Sequence, residues 1–201
     1  MFIGFCGGTG AGKTTLVNHA AEILGSENTL VLSQDHYYRH LPELSFEARC
    51  ALNFDHPDAL DYDLFMRHLL NLKNQQSIRR PVYSFSTHLR TEETVWCHPK
   101  KYILVEGILI FSHAPLRNLM NHRVFIDSAK NKRVARRINR DVTTRGRTVE
   151  EVNERFEHSI HKMHEQYVAP NQQKSDIVIE NNHQLSAAKQ QLEHWIKKTI
   201  Y

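Results

Sequence analysis

The sequence predicts an α/β fold in which a mostly parallel, five-stranded sheet is flanked by helices on both faces. The first observation is that short apolar runs, typical of buried strands, alternate with longer segments whose apolar residues recur at helical spacing. The second is a glycine-rich stretch directly between the first apolar run and the first helical segment. The third is the length of 201 residues, about that of one domain, so we expect residues 1–201 to form a single domain.

The glycine-rich stretch has the spacing of a P-loop: glycine, four residues, glycine, lysine and threonine. Glycine lets successive backbone N–H groups turn inward around phosphate oxygens, and the following helix adds the positive end of its dipole. Lys13 is expected to reach the terminal phosphates of a nucleotide, and the Thr14 hydroxyl to bind Mg²⁺. The alternative, a glycine turn without a ligand, is disfavoured by the strand-like and helix-like patterns on either side. The expected phosphate-binding residues are Gly7, Gly8, Thr9, Gly10, Ala11, Gly12, Lys13, Thr14 and Thr15.

Two acidic residues follow predicted strands, at the ends where ligands bind in open α/β sheets. Residues 29–33 predict a short buried strand, and Asp35 follows it. Residues 102–105 predict another, which ends in Glu106 in the arrangement of a Walker B acid that holds Mg²⁺. An isolated acid at such a place is commonly a cap or turn residue, so it is the P-loop upstream that favours a functional role for both.

The middle of the chain predicts a helix and then a small excursion from the sheet. Residues 42–60 are irregular to helical, and Asp61 is the expected N-cap of the helix that follows them. Residues 78–97 contain two short β-like runs, which predict an antiparallel hairpin with His88 at the connection. From this stretch alone, its aromatic residues could equally pack a minor core or line a binding surface, with His88 in solvent or in a site.

The positive charge of the chain is concentrated in one segment, residues 130–147. This segment carries eight basic residues against one acid, more positive charge than the net +4 of the whole chain, so the remainder is net negative. A solvated cationic face is one interpretation, and a lid that closes over transferring phosphates is the other. We favour the lid because charges this closely spaced repel one another unless an anion lies nearby. The basic residues are Lys130, Lys132, Arg133, Arg136, Arg137, Arg140, Arg145 and Arg147.

The C-terminal part predicts structural elements. An apolar stripe from Val152 to Tyr167 predicts an amphipathic helix, and a strand at 176–179 and a closing helix follow. On a regular helix the spacing of His158, His161 and His164 spreads them around the axis, so we expect them to face solvent rather than share a metal. The three cysteines are far apart in the sequence, which indicates free, buried thiols.

The composition, 40% apolar and 24% charged, is typical of a soluble globular protein, and no apolar run is long enough to span a bilayer. The P-loop begins so early that we expect no secretory signal before it, and therefore a cytoplasmic location. Because the excess positive charge is local, it suits a compact polyanion such as a nucleoside triphosphate at least as well as a nucleic acid.

Several stretches together resemble the uridine kinase family, also called uridine/cytidine kinases, over nearly the whole chain. The P-loop alone is shared by many activities, whereas the motifs NFDHPDA and PVY followed by histidine are far more specific. The matching stretches are the P-loop, Leu32-Ser33-Gln34-Asp35 with Tyr38, Asn53-Phe54-Asp55-His56-Pro57-Asp58, Pro81-Val82-Tyr83 with His88, Glu106-Gly107-Ile108-Leu109, and Arg137 through Arg147.

The resemblance implies a P-loop kinase fold and transfer of the γ-phosphoryl group of ATP or GTP to the 5′-hydroxyl of uridine or cytidine, giving UMP or CMP in pyrimidine salvage. It implies that Asp35 accepts the hydroxyl proton and binds Mg²⁺ with Thr14 and Glu106, while Arg140 and Arg145 join Lys13 on the phosphates. It also implies a homo-oligomer, a tetramer, with no nucleic-acid or membrane partner. The nucleoside-binding residues implied are Tyr38, Phe54, Asp55, Tyr83, Phe85, His88, Arg137 and Arg147.

Three positions depart from the family pattern: Ala11 and Ser84 replace a usual serine and a frequent acid, and Arg155 stands where a base-contacting glutamine is expected. Arginine cannot accept a hydrogen bond, so the preference between uridine and cytidine stays open. The nearest rival is another small-molecule P-loop kinase, such as a nicotinamide riboside kinase or a phosphoribulokinase-like enzyme, which would keep Asp35 and Asp55 but has no need of His88. A nucleotide switch or an RNA-binding protein is the rival from another class.

Overall fold

The computed structural model describes all residues from Met1 to Tyr201. Seven strands and eight α-helices alternate along the chain, with short 3₁₀ and π-helical turns between some of them. In chain order the elements are β1 Phe2–Gly7, α1 Lys13–Leu24, β2 Thr29–Ser33, α2 Phe46–Cys50, α3 Tyr62–Lys73, β3 Ile78–Ser84, β4 Leu89–Cys97, β5 Tyr102–Gly107, α4 Ala114–Leu119, β6 His122–Asp127, α5 Lys130–Arg145, α6 Val149–Arg155, α7 His161–Met163, β7 Ile177–Glu180 and α8 Leu185–Thr199.

Five parallel strands form the main sheet in the order β2-β5-β1-β6-β7, which confirms the predicted fold class. Since β1 is central, its P-loop emerges in the middle of the carboxyl edge of the sheet. The neighbouring strand β5 pairs Phe5 with Glu106, and β2 pairs Ser33 with Glu106. The sheet register therefore brings the P-loop, Glu106 and the residues after Ser33 to the same edge.

Helices cover both faces of this sheet. The side chains of β1 alternate, so that Ile3 and Phe5 pack with helices α1 and α8, whereas Phe2 and Cys6 pack with α3 and α4. Two apolar cores result, one on each face, and they hold the sheet edge rigidly from both sides. None of the helices combines the length and the apolar composition that spanning a bilayer requires.

Strand β2 differs from the prediction of a buried strand. It lies at the edge of the sheet, where one side of the strand has no neighbour, and only Leu32 is fully buried while Val31 is exposed. The apolar residues of β2 belong to the face that is covered and to the side that pairs with β5. Sequence pattern alone does not distinguish an edge strand from a central one.

The predicted hairpin is present as a separate two-stranded antiparallel sheet of β3 and β4. His88 lies in its connection with φ of 54°, in the left-handed region that non-glycine residues seldom adopt. Tyr83 is buried in the core on the α3 face, while β4 is mostly exposed. Its Trp96 is exposed and contacts the Arg79 guanidinium, 4.7 Å from the ring, and the His98 ring. The hairpin thus presents one face to the protein and one to solvent.

The predicted N-cap of helix α3 is confirmed. Asp61 caps α3 by accepting a hydrogen bond from the backbone N–H of Leu64, and Gly146 ends α5 in the left-handed conformation. All three cysteines are free; Cys6 and Cys97 are buried and Cys50 is partly buried.

The expectation that the three histidines of the C-terminal stripe face solvent is wrong for His164. Two π-helical turns, Phe156–Ile160 and His164–Val168, interrupt the helix and change the rotation per residue on which that expectation relied. His164 lies against Gly8 and Arg133, and its burial, together with the charge of Arg133, lowers the pKa of His164 to about 4. His158 remains exposed.

Candidate active site

A cavity of about 390 Å³ opens at the carboxyl edge of the main sheet, and most of the predicted site residues line it. Gly7, Gly8 and Ala11 do not; all three are buried away from it. The predicted residues that line the cavity are Thr9, Gly10, Gly12, Lys13, Thr14, Thr15, Asp35, Tyr38, Phe54, Asp55, Tyr83, Phe85, His88, Glu106, Arg137, Arg140, Arg145 and Arg147.

At one end of the cavity, which we call the donor end, the P-loop turns on glycines with positive φ. Gly10 has φ of 75° and Gly12, the residue before helix α1, has φ of 94°. A side chain at either position would also collide with neighbours, the backbone carbonyl of Arg133 for Gly10 and the side chain of Asn181 for Gly12. Asn181 in addition donates a hydrogen bond to the carbonyl of Ala11 at 2.8 Å. The loop conformation is therefore supported from behind by helix α5 and by Asn181, the residue that follows strand β7.

Lys13 is buried at this end, and its Nζ donates a hydrogen bond to the carbonyl of Gly8 at 3.1 Å. Burial lowers the pKa of Lys13, while the nearby carboxylates of Glu106 and Asp35 oppose that shift. A lysine held across a P-loop in this way carries a positive charge directly at the wall of the cavity, where the phosphates of a nucleotide would lie.

Two acids face Lys13. The backbone N–H of Asp35 donates to the Ser33 hydroxyl at 3.2 Å, which closes the turn after β2. Glu106 is buried at the end of β5, and burial raises the pKa of its carboxyl against the lowering effect of Lys13. A buried acid whose charge is opposed by desolvation is a suitable ligand for a cation.

The oxygen atoms of three lining residues suit Mg²⁺ when other oxygens complete the coordination of the ion. Thr14, Asp35 and Glu106 line one cavity and offer a hydroxyl and two carboxylates. No group of three His, Cys, Asp or Glu side chains is placed to hold a metal ion by protein ligands alone. Mg²⁺ commonly binds through one or two carboxylates together with water and substrate phosphates, so this set matches that ion.

Aromatic rings from three segments meet at the other end of the cavity, which we call the acceptor end. The ring of Phe54 stacks on His88 with a centroid distance of 4.7 Å, and Tyr38 lies 5.2 Å from both Phe54 and Tyr83. Tyr83 in turn contacts Phe85 edge to face at 5.5 Å. The aromatic side of the hairpin therefore combines the two interpretations, because Tyr83 and Phe85 pack with the core and also line the cavity.

His88 is uncharged at neutral pH. Burial, and the nearby guanidiniums of Arg147, Arg155 and Arg49, lower the pKa of His88 to about 4. Its Nδ1 is buried without a hydrogen-bond partner. A neutral imidazole can donate from one nitrogen and accept at the other, so His88 offers a free polar atom to a ligand in an otherwise aromatic wall.

Arg137 connects the two ends of the cavity. Its guanidinium donates to the Thr9 hydroxyl of the P-loop at 3.0 Å and forms an ion pair with Asp55 at 3.6 Å. Arg137 and Asp55 are both buried, and the turn at Asp55 is closed by a hydrogen bond from its N–H to the Asn53 side chain. A carboxylate and a guanidinium fixed beside each other present both acceptors and donors to hydroxyl groups.

The arginine-rich segment forms helix α5, and its end bends over the acceptor end of the cavity. Arg145 lies over the Phe85 ring with its guanidinium carbon 3.9 Å from the ring centroid. The acid of the segment, Asp141, is fully buried and is surrounded by four guanidiniums. The closely spaced arginines therefore have an anion beside them within the chain itself, the carboxylate of Asp141.

Some lining residues are absent from the predicted set. Arg136 donates to the carbonyls of Gly10 and Asn181 and to the Ser128 hydroxyl, so it ties α5 to the back of the P-loop. In the sequence, the position of Arg136 next to Arg137 was the signal that could have indicated a role in the site. Arg155 lines the acceptor end, donates to the Cys50 carbonyl at 2.9 Å and has no carboxylate partner. The other lining residues absent from the set are Leu52, Asn53, Ile108, Ser159 and Ile160. Asn53 and Ile108 lie within two of the stretches that carry the family resemblance, whereas no motif distinguishes the other three from core or loop residues.

A parallel sheet with a central P-loop, acids on the neighbouring strands and an arginine-rich helix over the cavity defines a P-loop kinase, a class of phosphotransferase. Residues 2–187 match the family described as phosphoribulokinase / uridine kinase, and the chain belongs to that family.

Relatives agree with this membership, and solved structures agree with the fold. A protein named uridine kinase from Geobacillus sp. (strain WCH70) is 40% identical over 179 residues, covering 89% of this chain and 85% of that protein. The uridine kinase of Bacillus subtilis (strain 168) is 38% identical over the same shares. Phosphoribulokinase from Rhodobacter spheroides has a TM-score of 0.63 at 16% identity, covering 89% of this chain and 69% of that one. D-glycerate 3-kinase from Cryptococcus neoformans has a TM-score of 0.57 at 16% identity, covering 82% and 78%. The two structures are similar in fold only.

Proposed function

We propose that this protein transfers the γ-phosphoryl group of ATP or GTP to the 5′-hydroxyl of uridine or cytidine, producing UMP or CMP for pyrimidine salvage. The observation that supports this most is the single cavity that joins a P-loop to an aromatic wall containing a neutral, unpartnered histidine. Relatives named uridine kinase that are 38% to 40% identical over most of the chain support the same substrate.

The donor end would hold the triphosphate. Backbone N–H groups of the P-loop and the Lys13 ammonium would neutralise the phosphate oxygens. Thr14, Asp35 and Glu106 would hold Mg²⁺, which when bound supplies charge neutralisation between the phosphates. Arg140 and Arg145 would stabilise the charge that spreads over the transferred group, since phosphoryl transfer depends mainly on positioning and electrostatics.

Asp35 would act on the acceptor. Its carboxylate, in the same cavity as Lys13, would accept the proton of the 5′-hydroxyl as that oxygen attacks phosphorus, the role of a general base. Asp55 and Arg137 would hold the ribose hydroxyls through the fixed carboxylate and guanidinium described above. Holding the sugar at this ion pair would align the 5′-hydroxyl with the donor, which is the main entropic contribution to such a reaction.

The aromatic wall would hold the base. Tyr38, Phe54, Tyr83 and Phe85 offer ring faces and edges, and His88 offers the polar contact with the base edge, with Arg147 beside it. Because a neutral imidazole can either donate or accept, His88 can bind N3 of cytosine or N3–H of uracil. This adaptability is the reason for proposing both pyrimidine nucleosides.

Steady-state kinetics with ATP, Mg²⁺ and a panel of ribonucleosides tests the proposal. We expect turnover of uridine or cytidine with kcat/KM at least tenfold above that of adenosine, guanosine and nicotinamide riboside, because a hydrogen-bonding site rejects analogues that leave its polar groups unpaired. A preference for nicotinamide riboside would instead support the rival kinase activity.

The two rivals from other classes have their own tests. A guanine-nucleotide switch reads its base with Asn-Lys-x-Asp, and the nearest match here, Asn131-Lys132-Arg133-Val134, lacks the acid. An RNA-binding function for the arginine segment predicts an affinity that falls steeply with salt and rises with RNA length. Binding that is weak and independent of RNA length would exclude that function.

The setting of the enzyme is proposed from the family resemblance. We propose that residues 1–201 act as one domain, that the chain forms a homotetramer and that it works in the cytoplasm on a small-molecule nucleoside, without a nucleic-acid or membrane partner. Light scattering coupled to size-exclusion chromatography would test the tetramer, and a mass near 23.5 kDa, that of one chain, would contradict it.

A further inference from the structure

Asp141 is the centre of the arginine cluster on helix α5. Its side chain has no exposure to solvent, and its carboxylate oxygens lie 2.8 Å from Arg140, 3.2 Å from Arg147, 3.3 Å from Arg137 and 3.7 Å from Arg145. All four of these arginines line the cavity, whereas Asp141 itself does not. The carboxylate is therefore behind the guanidiniums, on the side away from the ligand.

Helix geometry and one glycine produce this cluster. Arg137 and Arg145 lie four residues before and after Asp141, so the three side chains share one side of α5. Gly146 then adopts the left-handed conformation, with φ of 64°, and turns the chain back. The N–H of Arg147 donates to the Asp141 carbonyl at 3.2 Å, which returns the Arg147 side chain to the same carboxylate.

The charges of the cluster are only partly balanced. Four guanidiniums share two carboxylates, Asp141 and, through Arg137, Asp55, so the cluster keeps an excess of two positive charges. Without Asp141, the four guanidiniums would repel one another at distances well below the screening length of about 8 Å at physiological salt. With it, they converge while a surplus of positive charge stays available to an anion in the cavity.

We propose that Asp141 is a positioning residue. It is the internal counter-ion of Arg137, Arg140, Arg145 and Arg147, and it holds their guanidiniums where they can bind phosphate and ribose before the nucleotide binds. The proposal rests on the function proposed above, since it concerns arginines assigned there to the phosphates and the nucleoside. It adds that the lid is ordered by a charge in the chain as well as by the charge of the ligand.

The proposal predicts a separation between binding and turnover. Removing the carboxylate uncovers one more positive charge beside the cavity, so the attraction for a triphosphate does not fall. The guanidiniums then repel one another and lose their alignment, so stabilisation of the transition state falls. A role that is merely structural predicts the opposite, a parallel loss of ATP affinity, turnover and thermal midpoint.

The experiment compares Asp141→Asn, which has the same shape without the charge, with Asp141→Glu, which keeps the charge. The matched control is Asp176→Asn, because Asp176 also pairs with an arginine, Arg123 at 2.8 Å, but lies at the opposite edge of the sheet. ATP affinity is measured by titration calorimetry, and kcat with ATP, Mg²⁺ and uridine. For Asp141→Asn we expect kcat to fall about tenfold to 100-fold, the range for a misplaced group, with ATP affinity equal or tighter and more sensitive to salt.

Asp141→Glu is expected to recover at least part of kcat, and Asp176→Asn to stay within about twofold of the wild type. A kcat for Asp141→Asn within twofold of the wild type would overturn the proposal, as would parallel losses of ATP affinity and kcat. If Asp141→Asn does not fold, as judged by near-ultraviolet circular dichroism, Asp141→Glu decides: a folded glutamate variant with recovered lid function supports the proposal, and one as inactive as an Arg140→Gln variant overturns it. A wild-type protein that phosphorylates no nucleoside would refute the proposed function instead.

Discussion

The two ends of the cavity are built in different ways. The donor end depends on backbone: glycines with positive φ, a helix N-terminus and one lysine within a single stretch of nine residues. The acceptor end depends on side chains from segments far apart in the sequence, around Tyr38, Asp55, Tyr83 and Arg145. A phosphate is the same in every nucleotide, so a local motif suffices for it, whereas a particular acceptor requires side chains that can vary.

The largest expected effect tests the group proposed to act between the two ends. Asp35→Asn should lower kcat by about 100-fold or more, the usual range for loss of a general base, while ATP binding stays nearly intact. The measurement is kcat for uridine together with ATP affinity. Asp58→Asn is the control, since Asp58 is exposed outside the cavity. Near-wild-type turnover of Asp35→Asn would contradict the role given to Asp35.

His88→Ala tests whether use of the nucleoside at the acceptor end can be impaired without impairing ATP binding. We expect kcat/KM for uridine and cytidine to fall about 10- to 100-fold, from the lost hydrogen bond and the lost stacking with Phe54, with KM for ATP changed less than twofold. His98→Ala, at the far end of the hairpin and exposed, is the control. Equal losses for nucleoside and ATP would mean that His88 only supports the structure.

Gly10→Ala tests whether ATP binding at the donor end can be impaired without impairing nucleoside binding. A methyl group there meets both a positive φ and the backbone carbonyl of Arg133, so the loop must shift at a cost of about 1–3 kcal/mol. We expect ATP affinity to fall about tenfold with any acceptor, and KM for nucleoside to stay unchanged. Gly25→Ala, also at positive φ but after helix α1 and away from the cavity, is the control. A loss confined to nucleoside affinity would contradict the division between the two ends.

Arg155→Gln tests whether Arg155 selects between the two pyrimidine bases at the acceptor end. Arg155 has no carboxylate partner and can only donate, so it suits the O4 acceptor of uracil better than the N4 amino group of cytosine. We expect the ratio of kcat/KM for uridine to that for cytidine to fall several-fold, up to about tenfold, in Arg155→Gln. Arg155→Lys, which also only donates, should keep most of the ratio, and an unchanged ratio in the glutamine variant would exclude Arg155 from base selection.

The smallest effect concerns a property that both ends share, a histidine kept neutral by burial. His164 behind the P-loop and His88 in the aromatic wall have pKa values of about 4 when folded, against the ordinary value of 6.5. Between these pH values the unfolded chain binds protons that the folded protein does not, so stability is fully present above about pH 6.5 and decreases as the pH falls toward 4.

Urea unfolding between pH 8 and pH 4 measures this dependence. His164→Gln should flatten the decrease of the unfolding free energy over that range, because it removes one of the groups that cause it. The exposed His158→Gln is the control and should leave the slope as in the wild type. An identical slope in the wild type and in His164→Gln would show that His164 titrates as freely when folded as when unfolded.

Prediction from sequence succeeded where the signal is local. The P-loop, the capping by Asp61 and the hairpin of residues 78–97 all depend on neighbouring residues and are present as expected. It failed for β2, whose position at the sheet edge depends on strand order, and for His164, whose direction depends on π-helical turns. Arg136 and Asp141 were visible in the sequence, but their contacts were not.

By itself, the sequence determined the alternation of strands and helices, the phosphate loop and the concentration of positive charge, because these are periodic or contiguous features of the chain. Only the tertiary structure decided that Asp141 lies behind four guanidiniums, that Arg137 joins Thr9 to Asp55, and that His88 stacks on Phe54. The physical reason is that burial and charge neutralisation depend on which distant segments meet, and that depends on the packing of the whole sheet and its helices.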